Sequence, residues 1–195
     1  MKTDVIRVSG QDFRTEAALA EVDRLAAYKG LSPKGALHLR LLAEETMGLM
    51  RAITGGAEGD FWIEDEDGVY AMHLRVETAL DEEKRRQLLS ASTTGVNEAA
   101  RGLIGRILCF FDPASSVPAF SAASLIGTSP EGYGPAVWSM ETYRRQLSQY
   151  VEEARRGAGE AWDELEKSVL AHVADDVRVS MLGRTVEMVI FKRTR

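Results

Sequence analysis

The stretch that decides the fold is Leu37–Ile53, which reads LHLRLLAEETMGLMRAI. Its apolar positions recur every three or four residues, the spacing of one buried face of an amphipathic helix. That face comprises Leu39, Leu42, Thr46, Leu49, Met50 and Ile53. Two adjacent carboxylates, Glu44 and Glu45, interrupt it, and the helical angle puts Glu45 at its edge, where a carboxylate often faces a cleft. In the alternative interpretation, which spacing alone leaves open, both glutamates begin the solvated side and pair with Arg40 or Arg51.

Cap and turn signals predict the elements on either side of this helix. A strand at Val5–Val8 and a helix at Gln11–Tyr28 precede it, and Ser32-Pro33 suits its first turn because serine caps and proline occupies the first helical position. The spacing downstream predicts, in order, strands at Phe61–Glu64 and Val69–Glu77, helices at Asp81–Ser90 and Glu98–Phe111, a loop at Asp112–Ala136, helices at Trp138–Arg156 and Glu160–Ala174, and strands at Val177–Leu182 and Thr185–Phe191.

The strands indicate how the layers are arranged. Asp67-Gly68 and Gly183-Arg184 each predict a two-residue hairpin turn. Apolar and polar side chains alternate along Val69–Glu77, so one face of that strand should pack on helices. We therefore expect an α/β chain of the α+β type: a two-layer sandwich with a mixed, mostly antiparallel sheet and helices on one face. A single domain over residues 1–195 would carry an inserted, lid-like loop and helix at about residues 112–159.

Composition and charge exclude several classes of function. The chain has 195 residues and a net charge of −6, so it lacks the basic excess that nucleic-acid binding normally requires. The longest apolar run, Ile107–Phe111, is far shorter than a spanning helix needs, and the N-terminus has no apolar secretory core. A lone cysteine, Cys109, cannot form an internal disulfide. We expect a cytoplasmic protein that binds neither nucleic acid nor membrane.

Two segments of the chain carry a resemblance to a known fold. Leu42-Ala43-Glu44-Glu45 lies in a helix that follows a short strand and helix, and Ala174-Asp175-Asp176-Val177 precedes the hairpin Gly183-Arg184-Thr185. Together with the order of elements, these segments resemble the GHKL ATP-binding fold. Histidine kinases, the Hsp90 chaperone, DNA gyrase and bacterial anti-sigma factor kinases share this fold, and the resemblance is strongest to the anti-sigma factor kinases. The resemblance covers most of the chain outside residues 112–159. It implies ATP and Mg²⁺ as cofactors and makes Glu45 the general base that polarises the attacking water or hydroxyl.

The chain departs from this family where the family binds metal. In the proteins of the family, an asparagine four residues after the glutamate coordinates the magnesium that bridges the ATP phosphates. Magnesium requires oxygen ligands, and the asparagine amide supplies one. Counting four from Glu44 or Glu45 reaches Gly48 or Leu49, and neither supplies an amide oxygen. His172 lies one turn from Asp175 and Asp176, but no third ligand follows from the pattern, so a solvated face or a helix C-terminal interaction is the simpler interpretation. We predict no metal site.

The chain also departs from the family at the adenine and phosphate motifs. Glu77-Thr78-Ala79-Leu80-Asp81 takes the place of the Asp-x-Gly-x-Gly motif, so Glu77 would accept the adenine amino hydrogens while the side chain of Ala79 occupies space that the family leaves free. Arg101-Gly102-Leu103-Ile104-Gly105 resembles the lid whose backbone amides hold phosphates. Close helix packing at Gly102 and Gly105 is the alternative.

These departures leave three functional hypotheses. The first is a bacterial regulatory protein on the ATP-binding fold, with nucleotide binding weak or lost, Glu45 a relic or weak general base, and a protein partner contacting Asp112–Arg156. The second is an active ATP-dependent kinase or ATPase in which Glu44, Glu45 and Glu77 hold magnesium. The third is a small-molecule-binding module, because Leu49 and Ala79 make the cleft more apolar than an ATP site. The sequence leaves open whether the chain forms a homodimer. All three need Glu45 and the Glu77 strand to border one hollow.

Overall fold

Six antiparallel strands form the sheet on which the helices pack. The computed structural model of the chain describes residues 1–9, 12–77, 107, 136–153, 158–182 and 184–194. The strands are β1 (Ile6–Val8), β2 (Gly59–Glu66), β3 (Val69–Glu77), β4 (Ala136–Ser139), β5 (Asp176–Leu182) and β6 (Thr185–Arg193). Their spatial order is β1-β2-β3-β6-β5-β4, and every neighbouring pair is antiparallel. The predicted α+β sandwich is confirmed.

The described ranges contain the helices α1 (Asp12–Tyr28), α2 (Pro33–Thr54), α3 (Met140–Glu152), α4 (Ala158–Glu166) and α5 (Val169–Val173), and one further helical residue, Ile107. The longest, α2, begins at Pro33, as Ser32-Pro33 predicts. The Ser32 hydroxyl accepts a hydrogen bond from the backbone N–H of Gly35 at 3.2 Å, and Gly55, with φ of 70°, ends the helix in the left-handed conformation that glycine adopts without strain. None of the helices in the described ranges has an apolar stretch long enough to cross a membrane.

The β2–β3 hairpin fixes the register of the sheet. Asp67 and Gly68 both have positive φ, 50° and 80°, which is the geometry of the two-residue turn that Asp-Gly favours. The resulting register aligns one buried row across five strands: Phe61, Leu74, Met188, Val179 and Trp138. This row packs against buried residues of α1, α2 and α3 in one hydrophobic core. The described helices therefore cover a single face of the sheet.

Two predicted helices differ from the structure. Trp138 was expected to begin a helix, but it lies in β4, where it pairs with Val179, and the helix begins at Met140 after the N-cap Ser139. Trp138 is buried while Val137 is exposed, so the segment follows the period of a strand. The single helix predicted at Glu160–Ala174 is two helices, α4 and α5, with Ser168 between them.

Part of the predicted insertion belongs to the sandwich itself. β4 pairs with β5, and α3 packs on both of these strands. Ile107, from the predicted helix Glu98–Phe111, is helical and fully buried in the core. The predicted helix Asp81–Ser90, the remainder of Glu98–Phe111 and the loop up to residue 135 lie outside the described residues.

Candidate functional site

Glu44 is a solvated, ion-paired residue. Its Oε1 lies 3.3 Å from Nε of Arg40, one turn earlier in α2, and the glutamate side chain is 46% exposed. Arg40 also pairs with Asp23 of α1, so the three side chains link the two helices at the surface. For Glu44 the alternative stated from the sequence, a solvated face pairing with Arg40, is therefore what the structure shows.

Glu45 is different, since it is half-buried at the margin of the core. Its neighbours on the same side of α2, Leu42 and Leu49, are buried. Burial raises the pKa of the Glu45 carboxyl, and the negative charge of Glu44 raises it further. No described residue forms an ion pair with it. A half-buried carboxyl with a raised pKa has the chemistry of a general base or acid, so Glu45 remains the strongest single candidate on α2.

Glu77 lies on the other side of the sheet from Glu45. Along β3, Val76 is buried on the face that packs on helices, whereas Glu77 is exposed in the opposite row, with His73 and Arg75. Side chains in a strand alternate between faces, so a difference of one residue decides which face is occupied. The predicted convergence of Glu45 and Glu77 on one hollow is not found, and the proposed magnesium site of Glu44, Glu45 and Glu77 is not assembled.

Some of the other predicted site residues lie within the described part of the chain, and the rest lie outside it. Leu49 is 2% exposed and packs in the core, so a core leucine occupies the position four residues after Glu45. At Gly48, no atom lies within 4 Å of the position that a Cβ would take. Ala79, Gly102 and Gly105 lie outside the described residues, so their assigned roles stay predictions. Across the described ranges, no three His, Cys, Asp or Glu side chains come together in a way that could hold a metal ion.

Asp176 is a buried structural residue, whereas the sequence predicts a solvated face or a helix C-terminal interaction for it. It is 6% exposed and accepts hydrogen bonds from the backbone N–H groups of Glu141 at 3.0 Å and Val177 at 2.9 Å. Its second oxygen accepts from Nε of Arg178 at 2.8 Å. His172 does not share this cluster; its Nδ1 lies 3.1 Å from the backbone oxygen of Ser168. Asp176 therefore joins the start of α3 to β5.

A stacked aromatic pair on the sheet face opposite the helices also escaped prediction. The rings of Trp62 and His73 lie 4.7 Å apart and nearly parallel, at 7°. The Trp62 Nε1–H donates to Glu64 at 3.0 Å, and Nδ1 of His73 lies 3.3 Å from Oε1 of Glu187. The ammonium group of Lys2 lies 4.7 Å from the Trp62 ring centre, a cation–π contact. The hairpin signal could have found this pair, because the Asp67-Gly68 turn sets Trp62 opposite His73.

Replacing Glu45 with glutamine tests whether burial raises the pKa of its carboxyl. Because its folded pKa is raised, the ionised form is disfavoured in the folded state, so stability falls as pH rises from the ordinary glutamate pKa, about 4.3, through the raised value. We expect Glu45→Gln to unfold at a higher temperature than the wild type at about pH 7, with a difference that shrinks towards about pH 4.

Thermal unfolding followed by circular dichroism over this pH range measures the effect. Glu44→Gln is the matched control, since Glu44 is exposed and paired with Arg40; this variant should show no such gain. Parallel pH profiles for wild type and Glu45→Gln would contradict the burial of Glu45.

The comparisons with known proteins add no relative. No protein-family model matches the chain, and no curated protein matches it. The likeness of the Glu44-Glu45 helix and the closing hairpin to the ATP-binding fold stays a prediction from the sequence.

Proposed function

We propose that the chain is a cytoplasmic regulatory protein on an ATP-binding fold of the anti-sigma factor and histidine kinase type, with nucleotide binding weak or lost, acting through contact with another protein. The observation that supports weak or lost nucleotide binding is the separation of Glu45 from Glu77 by the sheet. Without an adenine-binding carboxylate from β3 at that position, a nucleotide loses a hydrogen bond to a charged group, which is about ten- to a hundredfold in affinity. The fold half of the proposal rests on the sequence likeness of Leu42–Glu45 and Ala174–Val177 alone, because Glu45 and Glu77 do not meet at the one hollow that the resemblance requires.

The surface near β4 supports a protein contact. Among the described strands β4 lies at one end of the sheet, so one of its edges has no strand partner there. Val137 on β4 and Leu182 on β5 are exposed large apolar residues, 38% and 67% accessible, on the sheet face opposite the helices. Sheet edges with exposed apolar side chains are common sites of strand addition by a partner chain. This surface overlaps the interval 112–156 that the sequence assigned to a partner.

Titration calorimetry with Mg²⁺ and a non-hydrolysable ATP analogue tests the nucleotide half of the proposal. We expect binding no tighter than about millimolar, unchanged in Glu45→Ala. Tight Mg²⁺-dependent binding of the analogue by the wild type would contradict weak or lost nucleotide binding.

Affinity capture from a lysate of the source cell tests the protein half. A partner retained by the wild type should be lost with Val137→Asp and Leu182→Asp, and retained with Leu37→Asp, which alters an equally exposed leucine on α2. Equal retention by all variants would place the contact elsewhere.

An active kinase or ATPase is the second candidate, and the raised pKa of Glu45 is what favours it. Tight magnesium-dependent binding of the ATP analogue that Glu45→Ala abolishes would replace the regulatory proposal with this one.

A further inference from the structure

A cleft of about 460 Å³ lies between the first turns of α2 and the end of β6. Lys34 and His38 line it from α2, Lys192 and Thr194 line it from the other side, and Asp175 borders it. This volume falls within the range of sites for small molecules, about 300–1,000 Å³. Glu45 does not line this cleft. It lies seven residues beyond His38 along α2, about 10 Å at the helical rise per residue.

Positive charge predominates among the side chains at this cleft. The pKa of His38 is lowered by burial and by the positive charges of Lys192 and Lys34, so both ammonium groups act on the same imidazole. Asp175 offsets only part of this charge: one of its oxygens lies 3.7 Å from Nζ of Lys192, and the other accepts the backbone N–H of Arg193. Lys34 has no ion-pair partner within the described part of the chain.

The residues that line the cleft include the cations Lys34, Lys192 and Arg193 and a single carboxylate, that of Asp175. The positive charges of Lys34 and Lys192 disfavour a proton on His38, and an anion bound beside them would offset that effect. Lysine binds phosphate as a point charge, and a neutral histidine gains a proton readily once an anion lies beside it.

We propose that this cleft binds a small soluble anion of the phosphate-ester or diphosphate class, held by Lys34 and Lys192, with His38 protonated in the complex. An anion beside His38 stabilises its protonated form against the burial and the lysine charges that lower its pKa. By linkage, occupancy of the cleft raises the proton affinity of His38, and a proton on His38 raises the affinity for the anion.

Proton NMR of the His38 ring, with inorganic pyrophosphate as the probe, measures both effects. We expect saturable shifts of the His38 resonances and an increase in the pKa of His38 on binding, with His73 and His172 unaffected. Sodium chloride at equal ionic strength is the control for screening, and shifts of the same size with chloride would overturn the proposal.

Lysine variants test which groups hold the anion. Lys34→Gln and Lys192→Gln should each weaken pyrophosphate binding about tenfold or more, whereas Lys2→Gln, against Trp62 on the opposite sheet face, should leave it unchanged. In the unliganded protein Lys192→Gln should by itself raise the pKa of His38. Unchanged affinity in both cleft variants, with unfolding temperatures like the wild type, would overturn the assignment.

Two further arms identify the source of the anion. Glu45→Ala should keep full pyrophosphate binding, so this result is separate from the nucleotide test of the proposed function. A phosphoserine peptide should bind more weakly than pyrophosphate; tighter binding of the peptide would reject a small soluble ligand.

Discussion

Leu42→Ala is expected to lower the free energy of unfolding by about 2–5 kcal/mol, the cost of truncating a buried leucine and leaving a cavity behind. Leu42 is completely buried between α2 and the rest of the core. The apolar face of α2 packs on β3 and β6 and also contacts α1 and α5, so no single neighbour can move to fill the space. Urea unfolding followed by circular dichroism measures the change.

Leu37→Ala is the matched control in the same helix. Leu37 is 61% exposed, and alanine and leucine have similar helix propensities, so this change should stay within about 0.5 kcal/mol of the wild type. Equal losses in the two variants would mean that the amphipathic face read from the sequence is not the face that packs on the sheet.

The sequence predicts α2 and the two hairpins well because their signals are local. Ser32-Pro33 starts the helix, Gly55 ends it, and Asp67-Gly68 selects one turn geometry, so each boundary is encoded within a few residues. Once the turn is fixed, the alternation along β3 decides the face of every side chain in it.

The Glu77 assignment shows where motif matching and strand periodicity disagree. The motif resemblance placed Glu77 at a ligand site on the helix side of the sheet, but the alternation of Tyr70, Met72, Leu74 and Val76 already assigns Glu77 to the other side. Here the period of the strand is the more reliable guide, because burial of the apolar row fixes the register of all its neighbours.

The remaining features depend on contacts between distant parts of the chain. Trp138 could be assigned to a strand only by knowing that β5 lies beside it, since Val179 is 41 positions further along. The cleft between α2 and β6 joins Lys34 to Lys192, and neither residue belongs to a motif. Local periodicity carries no information about such pairs, so sequence reasoning could not find them.

Asp176→Ala is expected to destabilise the fold by about 3 kcal/mol, because hydrogen bonds to a charged group are each worth about 1.5–3 kcal/mol and their donors would lose their acceptor. The carboxylate is almost fully buried at the start of β5 and accepts from the backbone N–H groups of Glu141 and Val177. Asp176→Asn keeps one acceptor oxygen and should lose about half as much.

The change should also be local, and this separates the bridging role of Asp176 from a general loss of charge. The amide of Glu141 loses its acceptor, so its hydrogen exchange should accelerate more than that of amides in α2. Asp175→Ala is the control, since the Asp175 side chain is 52% exposed. Its pair with Lys192 at 3.7 Å and its hydrogen bond from the backbone N–H of Arg193 both lie at the surface, so their loss should cost about 1 kcal/mol, less than the loss in Asp176→Ala. If Asp175→Ala and Asp176→Ala cost the same, or if exchange at Glu141 is unchanged, then α3 is held on β5 by Met140, Tyr143 and Leu147 alone, the buried residues of that helix.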